Sequence, residues 1–293
     1  MNKKDTVCAV VVTYNRKELL LNCLEGIRRQ TRPPDAVIII DNASTDGTQQ
    51  VLQENFPNIN DTKSVISCIK METNTGGSGG FHEGVKRGFE GGYDWLWLMD
   101  DDVVPLDDCL ERLIEDASGR DKDFSAFQCL RRGLDGAMID WYPYFSRLSL
   151  RAGNSYPGKS NTLCFEGTFI GRAVVQKVGF PDARFFFTLD DTEYGLRLSE
   201  IAPIRYVKAA ILARQLPEAT RHALIKRYYY FRNLFLLSSL RGIPMGRAAF
   251  IILLQTCGSM LKTLFFERQK FKTIYTLAKA YCDGLKGRYG KTI

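Results

Sequence analysis

Histidine is scarce in this chain, with only two among 293 residues. A histidine-rich metal site, or a hydrolase that uses serine, histidine and aspartate, therefore has little material to form from. The chain has eight cysteines, but no two lie closer in sequence than Cys8 and Cys23, so it contains no Cys-x-x-Cys pair and no zinc-type spacing. Most cysteines lie in apolar segments, and we expect reduced thiols in the core.

Long apolar runs and a secretion signal are also lacking. The first residues lead into a strand-like segment without the apolar stretch and cleavage site of a signal peptide, so we expect a cytosolic protein. Residues 248–261 carry no charge, but these 14 residues are fewer than the ~20 that span a bilayer. With 45% hydrophobic and 25% charged residues, the composition is that of a folded protein.

Acidic residues are nearly absent from the C-terminal quarter of the chain. From Arg221 onward, 14 Lys and Arg face two acids, a net charge of +12 that leaves −5 for residues 1–220. This basic, apolar extension favours amphipathic helices on an anionic membrane surface. A helical cap on the preceding domain, or a contact in a homo-oligomer, is the alternative. No recognised nucleic-acid motif accompanies the charge, so we rank a basic nucleic-acid-binding protein low and expect no nucleic-acid partner.

Three consecutive aspartates, Asp100 to Asp102, follow the apolar segment 95–99. Like charges at the end of a buried strand repel one another and resist desolvation, so the arrangement is easiest to explain if a cation binds among them. Oxygen ligands favour Mg²⁺ or Mn²⁺, which usually also bind substrate phosphates. The triplet therefore predicts a metal-assisted enzyme acting on a phosphorylated or nucleotide-linked substrate. A solvated acidic turn is the alternative.

Strand-like and helix-like segments alternate through the first hundred residues. The predicted strands cover 7–12, 36–40, 64–71 and 93–99. Such alternation predicts an α/β fold, a mostly parallel sheet flanked by helices, with ligands at the carboxyl ends of the strands. The polar residues expected at these ends are Thr13, Asp41, Asn74 and the aspartate triplet.

Glycines at 76, 77, 79 and 80 are predicted to form a tight loop before a helix over 81–89. Gly77-Ser-Gly79 lacks the third glycine of G-x-G-x-x-G, because His82 occupies that position, and no GxxxxGK[ST] loop occurs. Both phosphate-binding fingerprints therefore fail, and a plain tight turn is the simplest interpretation of these glycines alone.

The order of these motifs resembles family 2 glycosyltransferases of the GT-A fold, in the branch of bacterial galactofuranosyltransferases and rhamnosyltransferases. The resemblance covers about residues 7–235. It rests on Val11-Val-Thr-Tyr-Asn-Arg16, Asp41-Asn-Ala-Ser-Thr-Asp46, Asn74-Thr-Gly-Gly-Ser-Gly-Gly80, Asp100-Asp-Asp102 and Asp190-Asp-Thr-Glu193. It implies a Rossmann-like GT-A catalytic domain over 1–220, followed by the helical, basic extension over 221–293.

For the donor, the resemblance implies that Asp100 and Asp102 hold Mn²⁺ or Mg²⁺ against the diphosphate of a nucleotide sugar, while Asp101 faces the sugar or an orienting group. Asp41 would bind the nucleoside, although a turn cap is its alternative role. Further donor contacts are expected from Thr13, Tyr14, Arg16, Asn74, Gly76, Gly77 and Gly79. Arg16 can grip phosphate oxygens bidentately.

For the acceptor, the resemblance makes Asp191 the base that takes the proton of the attacking hydroxyl in an inverting transfer. Asp190 and Glu193 could instead cap the following helix. Acceptor contacts are expected from Trp141, Glu166, Gly167, Thr168 and Asp190. Trp141 belongs to an aromatic cluster that could stack on a sugar ring, although such clusters are more often part of the core.

One departure from the family affects the metal. Relatives often place a histidine ligand before the helix that here carries residues 228–233, but 211–215 contains none. His222 is a weak substitute, so aspartates, phosphates and water could be the whole ligand set. The resemblance implies UDP-galactofuranose as the first-choice donor and dTDP-rhamnose as the second, with a lipid-linked bacterial cell-surface glycan as acceptor. A sugar nucleotidyltransferase, which would release pyrophosphate, is a remoter alternative.

Overall fold

The computed structural model describes residues 5–59, 61, 64–120, 122–139, 142–155, 158–217, 223–267 and 269–293. The N-terminal half contains β1 Val7–Thr13, α1 Lys17–Arg28, β2 Ala36–Asp41, α2 Thr48–Asn55, β3 Ile66–Lys70, α3 Gly76–Glu90, β4 Trp95–Asp100, β5 Val103–Pro105, α4 Cys109–Ala117 and β6 Ala126–Arg132. The remainder contains β7 Met138–Ile139, β8 Tyr142–Ser146, β9 Arg151–Ser155, β10 Thr168–Gly171, α5 Arg172–Val178, a 3₁₀ turn at Ala183–Phe185, α6 Asp190–Ser199, β11 Ile204–Arg214, α7 Ala223–Leu240, α8 Met245–Phe266 and α9 Lys270–Leu285.

A nine-stranded mixed sheet forms the centre of the described structure, in the order β3-β2-β1-β4-β10-β6-β11-β5, with β7 paired to β6. Strands β3, β2, β1 and β4 are mutually parallel, as the alternation of strand-like and helix-like segments predicted. Strand β10 lies antiparallel between β4 and β6, and β11 is antiparallel to β5. The predicted α/β architecture is therefore confirmed, and the carboxyl ends of β1, β2 and β4 lie side by side.

Each face of the sheet buries its own apolar core, because successive strand residues point to opposite sides. In β1, Ala9 and Val11 pack toward α1, α2 and α4, while Val10 and Val12 pack toward α3, α5 and α6. Helices therefore cover both faces, as expected for parallel strands that are apolar throughout.

The prediction of a glycine loop before α3 was wrong, because the helix already begins at Gly76. Gly80, Gly84 and Gly88 recur every four residues and face the sheet; a Cβ at Gly80 would lie 2.5 Å from Val12 Cγ1. The glycines therefore serve close packing of the helix on the sheet, which outweighs their low helix propensity. Gly76 itself has φ +74° and lies against the backbone of Phe186.

The basic extension is helical, as predicted, and its helices pack together. A third apolar core joins Tyr228, Leu234 and Phe235 of α7 to Ile252 of α8 and Leu277 of α9. Phe185 and Leu189, from the segment before α6, belong to the same core. Among the described residues, α8 has the length and apolar composition of a helix that could cross a membrane, although little of it is buried.

Candidate functional site

The aspartate triplet lies where β1 and β4 end side by side. Asp100 is the last residue of β4 and pairs in register with Val12. The Thr13 hydroxyl donates to Asp101 Oδ2 at 2.7 Å. Arg16 Nη1 donates to Asp101 Oδ1 at 3.1 Å and to Asp102 Oδ2 at 3.0 Å. The structure thus brings together the end of β1 and the aspartate triplet, two segments that the sequence predicted to converge.

Glu166 joins Asp100 and Asp102 in a cluster of three carboxylates. One oxygen from each lies within 4.8 Å of the others. Glu166 also accepts a 3.0 Å hydrogen bond from Arg131, and Arg214 lies 4.0 Å from its other oxygen. The position of Glu166 follows from the sheet, because β10 starts two residues later and pairs with β4.

The electrostatics of this cluster suit a cation. Burial, followed by the neighbouring carboxylates Asp102 and Glu166, raises the pKa of Asp100 well above its usual range. Burial and then Glu166 also raise the pKa of Asp102. Burial raises the pKa of Asp101 to about 6, opposed by Arg16 and Thr13. Asp102 Oδ1 is buried and makes no hydrogen bond to any residue that the structure describes. This all-oxygen ligand set with an unused buried acceptor fits a hard divalent ion.

Gln215, which sequence reasoning did not assign, contacts the backbone of the triplet. Its N–H donates to the Asp102 carbonyl at 2.8 Å, and its Nε2 donates to the Asp101 carbonyl at 3.0 Å. Pairing of β11 with β5 brings this position back beside the triplet. The segment where relatives often carry a histidine thus lies at the site, with an amide that fixes the aspartate turn. The substitute ligand His222 lies outside the described residues.

The candidate nucleotide-binding residues line the ends of β1 and β2. Asp41 is fully buried, and its Oδ1 accepts a 2.8 Å hydrogen bond from the Ser44 N–H. The alternative role of a turn cap is therefore present in the structure, and the nucleoside role stays a prediction. Asn74 Oδ1 accepts from the Gly76 N–H at 2.8 Å, fixing the start of α3. Tyr14 is exposed beside this edge.

Asp190 and Asp191 form the first turn of α6, so both lie inside the helix that Asp190 was expected to precede as a cap. Burial, followed by the charge of Asp190, raises the pKa of Asp191 to about 7; the Thr192 N–H, 2.6 Å from Asp191 Oδ1, opposes this rise. The charge of Glu166 also raises the pKa of Asp191. Asp191 therefore lies within electrostatic reach of the three-carboxylate cluster, with a pKa suited to accepting a proton near neutral pH.

The segment that delivers Asp190 is strained and is held by α7. The φ angles of Phe186, Thr188 and Leu189 are 64°, 64° and 63°, in the left-handed region that side chains other than glycine rarely adopt. Asn233 Nδ2 donates to the carbonyls of Phe185, Phe187 and Thr188 at 3.0, 2.9 and 2.8 Å. Arg232 Nη2 donates to the Phe185 carbonyl at 2.6 Å. The signal for this role was an Arg-Asn pair inside the otherwise aromatic and apolar stretch 228–237 of α7.

The remaining predicted acceptor residues of the described structure, Gly167 and Thr168, are both buried. Gly167 has φ +88° and donates its N–H to the Leu98 carbonyl at 2.8 Å. Thr168 is fully buried, with its hydroxyl 2.6 Å from the Cys164 carbonyl. Both residues position β10 in this structure, and their contact with an acceptor stays a prediction. Trp141 lies outside the described residues.

Comparison with known structures gives the fold. A mannosyltransferase from Pyrobaculum calidifontis in complex with GDP-Man and Mn²⁺ has a TM-score of 0.61 at 15% identity, covering 98% of this chain and 89% of that one. A fragment of S. aureus TarS in complex with UDP-GlcNAc has a TM-score of 0.59 at 14% identity, covering 96% and 81%. The chain therefore has the GT-A fold of nucleotide-sugar-dependent glycosyltransferases.

Sequence comparison gives the family. The glycosyl transferase family 2 profile matches residues 8–179, and the chain belongs to that family of glycosyltransferases. The galactofuranosyltransferase GlfT1 of Mycolicibacterium smegmatis is 32% identical over 216 residues, 68% of this chain and 67% of that protein. An undecaprenyl-phosphate mannosyltransferase of Micrococcus luteus is 30% identical over 155 residues, 52% of this chain and 58% of that protein. GlfT1 of Mycobacterium tuberculosis is matched over 64% of its length, so the chain spans about two thirds of these galactofuranosyltransferases.

Proposed function

We propose that this protein is an inverting, metal-dependent glycosyltransferase that moves a hexosyl group from a nucleotide diphosphate sugar to a hydroxyl of a glycan. The observation that carries the proposal is Asp191, whose pKa is raised to about 7 and which lies within electrostatic reach of Glu166, a member of the cluster with Asp100 and Asp102. A base within electrostatic reach of a cation-binding cluster supplies the two parts that a metal-dependent inverting transfer requires.

Asp191 acts as the base in this proposal. Its carboxylate accepts the proton of the acceptor hydroxyl as that oxygen attacks the anomeric carbon of the donor. The new carbon–oxygen bond forms on the face opposite the leaving group, and the bond to the diphosphate oxygen breaks with its electron pair on the nucleotide. Attack from the opposite face inverts the anomeric configuration.

Asp100 and Asp102 would hold the divalent ion, and we assign Glu166 as the third carboxylate beside them. When bound, the ion neutralises charge on the departing nucleotide diphosphate. Asp101 is engaged by Thr13 and Arg16, so it positions the donor side of the site. Arg16 is half-exposed and can turn from these aspartates to phosphate oxygens of the donor.

Our first-choice donor is UDP-galactofuranose, because the GlfT1 relatives carry the name galactofuranosyltransferase. dTDP-rhamnose is the second choice. We propose a lipid-linked cell-surface glycan as acceptor and action at the cytoplasmic side of the membrane, in keeping with a relative named for undecaprenyl phosphate.

The test is a transfer assay against a panel of nucleotide sugars, with Mn²⁺, with Mg²⁺ and with EDTA. We expect transfer from one donor, lost with EDTA and restored by added metal. Full activity in EDTA would contradict the metal role. Pyrophosphate release from a nucleoside triphosphate and a sugar phosphate would instead indicate a nucleotidyltransferase.

A further inference from the structure

Helix α8 has two opposite apolar faces, and the part of the chain that the structure describes covers only one of them. Its inward face contains Ala248, Ile252, Thr256 and Thr263, all buried at helical spacing. Arg227 of α7 donates to Ser259 at 2.7 Å and to Thr263 at 3.1 Å along this same face. The opposite face carries Phe250, Leu254, Cys257, Leu261 and Phe265, all exposed. A helix that is apolar on its outer face requires a second apolar environment.

Helix α9 repeats this arrangement. Thr273, Leu277 and Ala280 are buried against the bundle, while Phe271 and Tyr275 are 91% and 70% exposed. Near the connection between the helices, Phe265 and Phe266 are 76% and 85% exposed. Four large aromatic side chains around one helical hairpin thus face away from the protein. We call the exposed residues on α8 and α9 the hairpin surface.

The charges around the hairpin surface are of one sign, because both acids of the extension are paired. Glu267 accepts a 2.6 Å hydrogen bond from Arg227, and Asp283 is buried beside Lys279 and Arg288. By contrast, Lys262, Lys270 and Lys272 are exposed. Exposed lysines beside an apolar face complement a layer of anionic headgroups over acyl chains.

We propose that the hairpin surface docks the protein on an anionic lipid bilayer, with α8 and α9 lying in the interface plane. Spanning is disfavoured because the inward face of α8 hydrogen-bonds to α7 through Arg227. Docking would place the site next to a lipid-linked acceptor, and in this respect the inference rests on the proposed function. Vesicle binding itself requires neither donor nor acceptor.

Flotation of the full chain with vesicles tests the proposal. Vesicles of phosphatidylcholine with phosphatidylglycerol should bind the protein, and vesicles of phosphatidylcholine alone should bind it at least tenfold more weakly. High salt should reduce binding, because screening weakens the lysine contacts. The variant carrying Phe266→Ser and Phe271→Ser should lose binding, and Lys262→Glu with Lys272→Glu should remove the preference for phosphatidylglycerol. The matched control is Val65→Ser with Leu134→Ser, which changes two exposed apolar residues outside the extension.

Two results would overturn the proposal. Wild-type binding that is unchanged in the phenylalanine variant would show that another surface meets the lipid. Absence of vesicle binding, together with a concentration-dependent dimer in sedimentation velocity that the phenylalanine variant abolishes, would assign the hairpin surface to a second copy of the chain. Transfer to a soluble acceptor without vesicles, measured in parallel, separates failure of docking from failure of the proposed function.

Discussion

At the scale of single residues, Asp191 combines burial with a position at the first turn of α6, and both features bear on its reactivity. Replacing it with asparagine removes the proton acceptor but preserves the shape of the side chain. We expect Asp191→Asn to lower transfer by ~100-fold or more, while calorimetry shows donor affinity close to wild type. Strongly reduced donor affinity in this variant would assign Asp191 to donor binding instead. In the wild type, kcat/KM should rise through about pH 7 as the carboxylate ionises.

The same shift predicts an effect on stability. Burial raises the folded-state pKa of Asp191 to about 7, above its unfolded value of ~3.9. The folded state then binds the proton more tightly, so the contribution of Asp191 to stability is greatest below pH ~4 and is lost as pH rises toward 7. Asp191→Asn should therefore unfold at a higher temperature than wild type at pH 8 and at nearly the same temperature at pH 4. A lower unfolding temperature for Asp191→Asn than for wild type at pH 8 would show that the ionised, buried carboxylate does not destabilise the folded state.

Substitution of Glu166 distinguishes a role of this carboxylate in metal binding from a role in acceptor binding. If it completes the cluster with Asp100 and Asp102, Glu166→Gln should weaken Mn²⁺ affinity by ~10-fold or more, measured by electron paramagnetic resonance without donor or acceptor. Glu54→Gln, on the exposed side of α2, is the matched control and should leave the affinity unchanged. Unchanged Mn²⁺ affinity with a raised KM for acceptor would restore the acceptor role.

At the scale of secondary structure, α3 depends on glycine for its contact with the sheet. A Cβ at Gly84 would overlap Val10 Cγ1, whereas a Cβ at Gly77 would meet no atom within 4 Å. Gly84→Ala should therefore lower the free energy of unfolding by roughly 1–3 kcal/mol. Gly77→Ala should leave it unchanged or raise it by up to ~1 kcal/mol. Chemical denaturation of both variants gives the comparison, and equal effects would show that the contact is not specific.

The same elements show how far the sequence predicts this fold and site. The apolar runs of β1, β2 and β4 predicted parallel strands, and their polar ends do meet. The start of α3 was missed because glycine opposes helix formation locally, and packing against the sheet reverses that preference. The position of Glu166 beside Asp100 could not be predicted, because it depends on β10 inserting antiparallel between β4 and β6, a long-range pairing that no local pattern encodes.

At the scale of the whole molecule, hydrogen bonds and a common apolar core join the acidic part of the chain to the basic extension. Arg232 and Asn233 of the basic extension donate to the carbonyls of Phe185, Phe187 and Thr188, shortly before Asp190. Phe185 and Leu189 complete their burial in the core formed by α7, α8 and α9. The extension therefore helps to position the proposed base, in addition to any contact with lipid.

This sharing predicts that residues 1–220 do not form an active domain alone. Without α7, the backbone with positive φ at Phe186, Thr188 and Leu189 loses the hydrogen bonds that stabilise it, and the apolar side chains around it become exposed. We expect the 1–220 fragment to bind a hydrophobic dye and to lack a cooperative thermal transition and transfer activity. Full-length Asn233→Ala is the companion variant: it should unfold cooperatively and keep its donor KM, but lose kcat, because only the segment leading to Asp190 is released. A fragment that unfolds cooperatively and transfers sugar at the full-length rate would show that the catalytic domain does not need the extension. The extension would then act only through the hairpin surface.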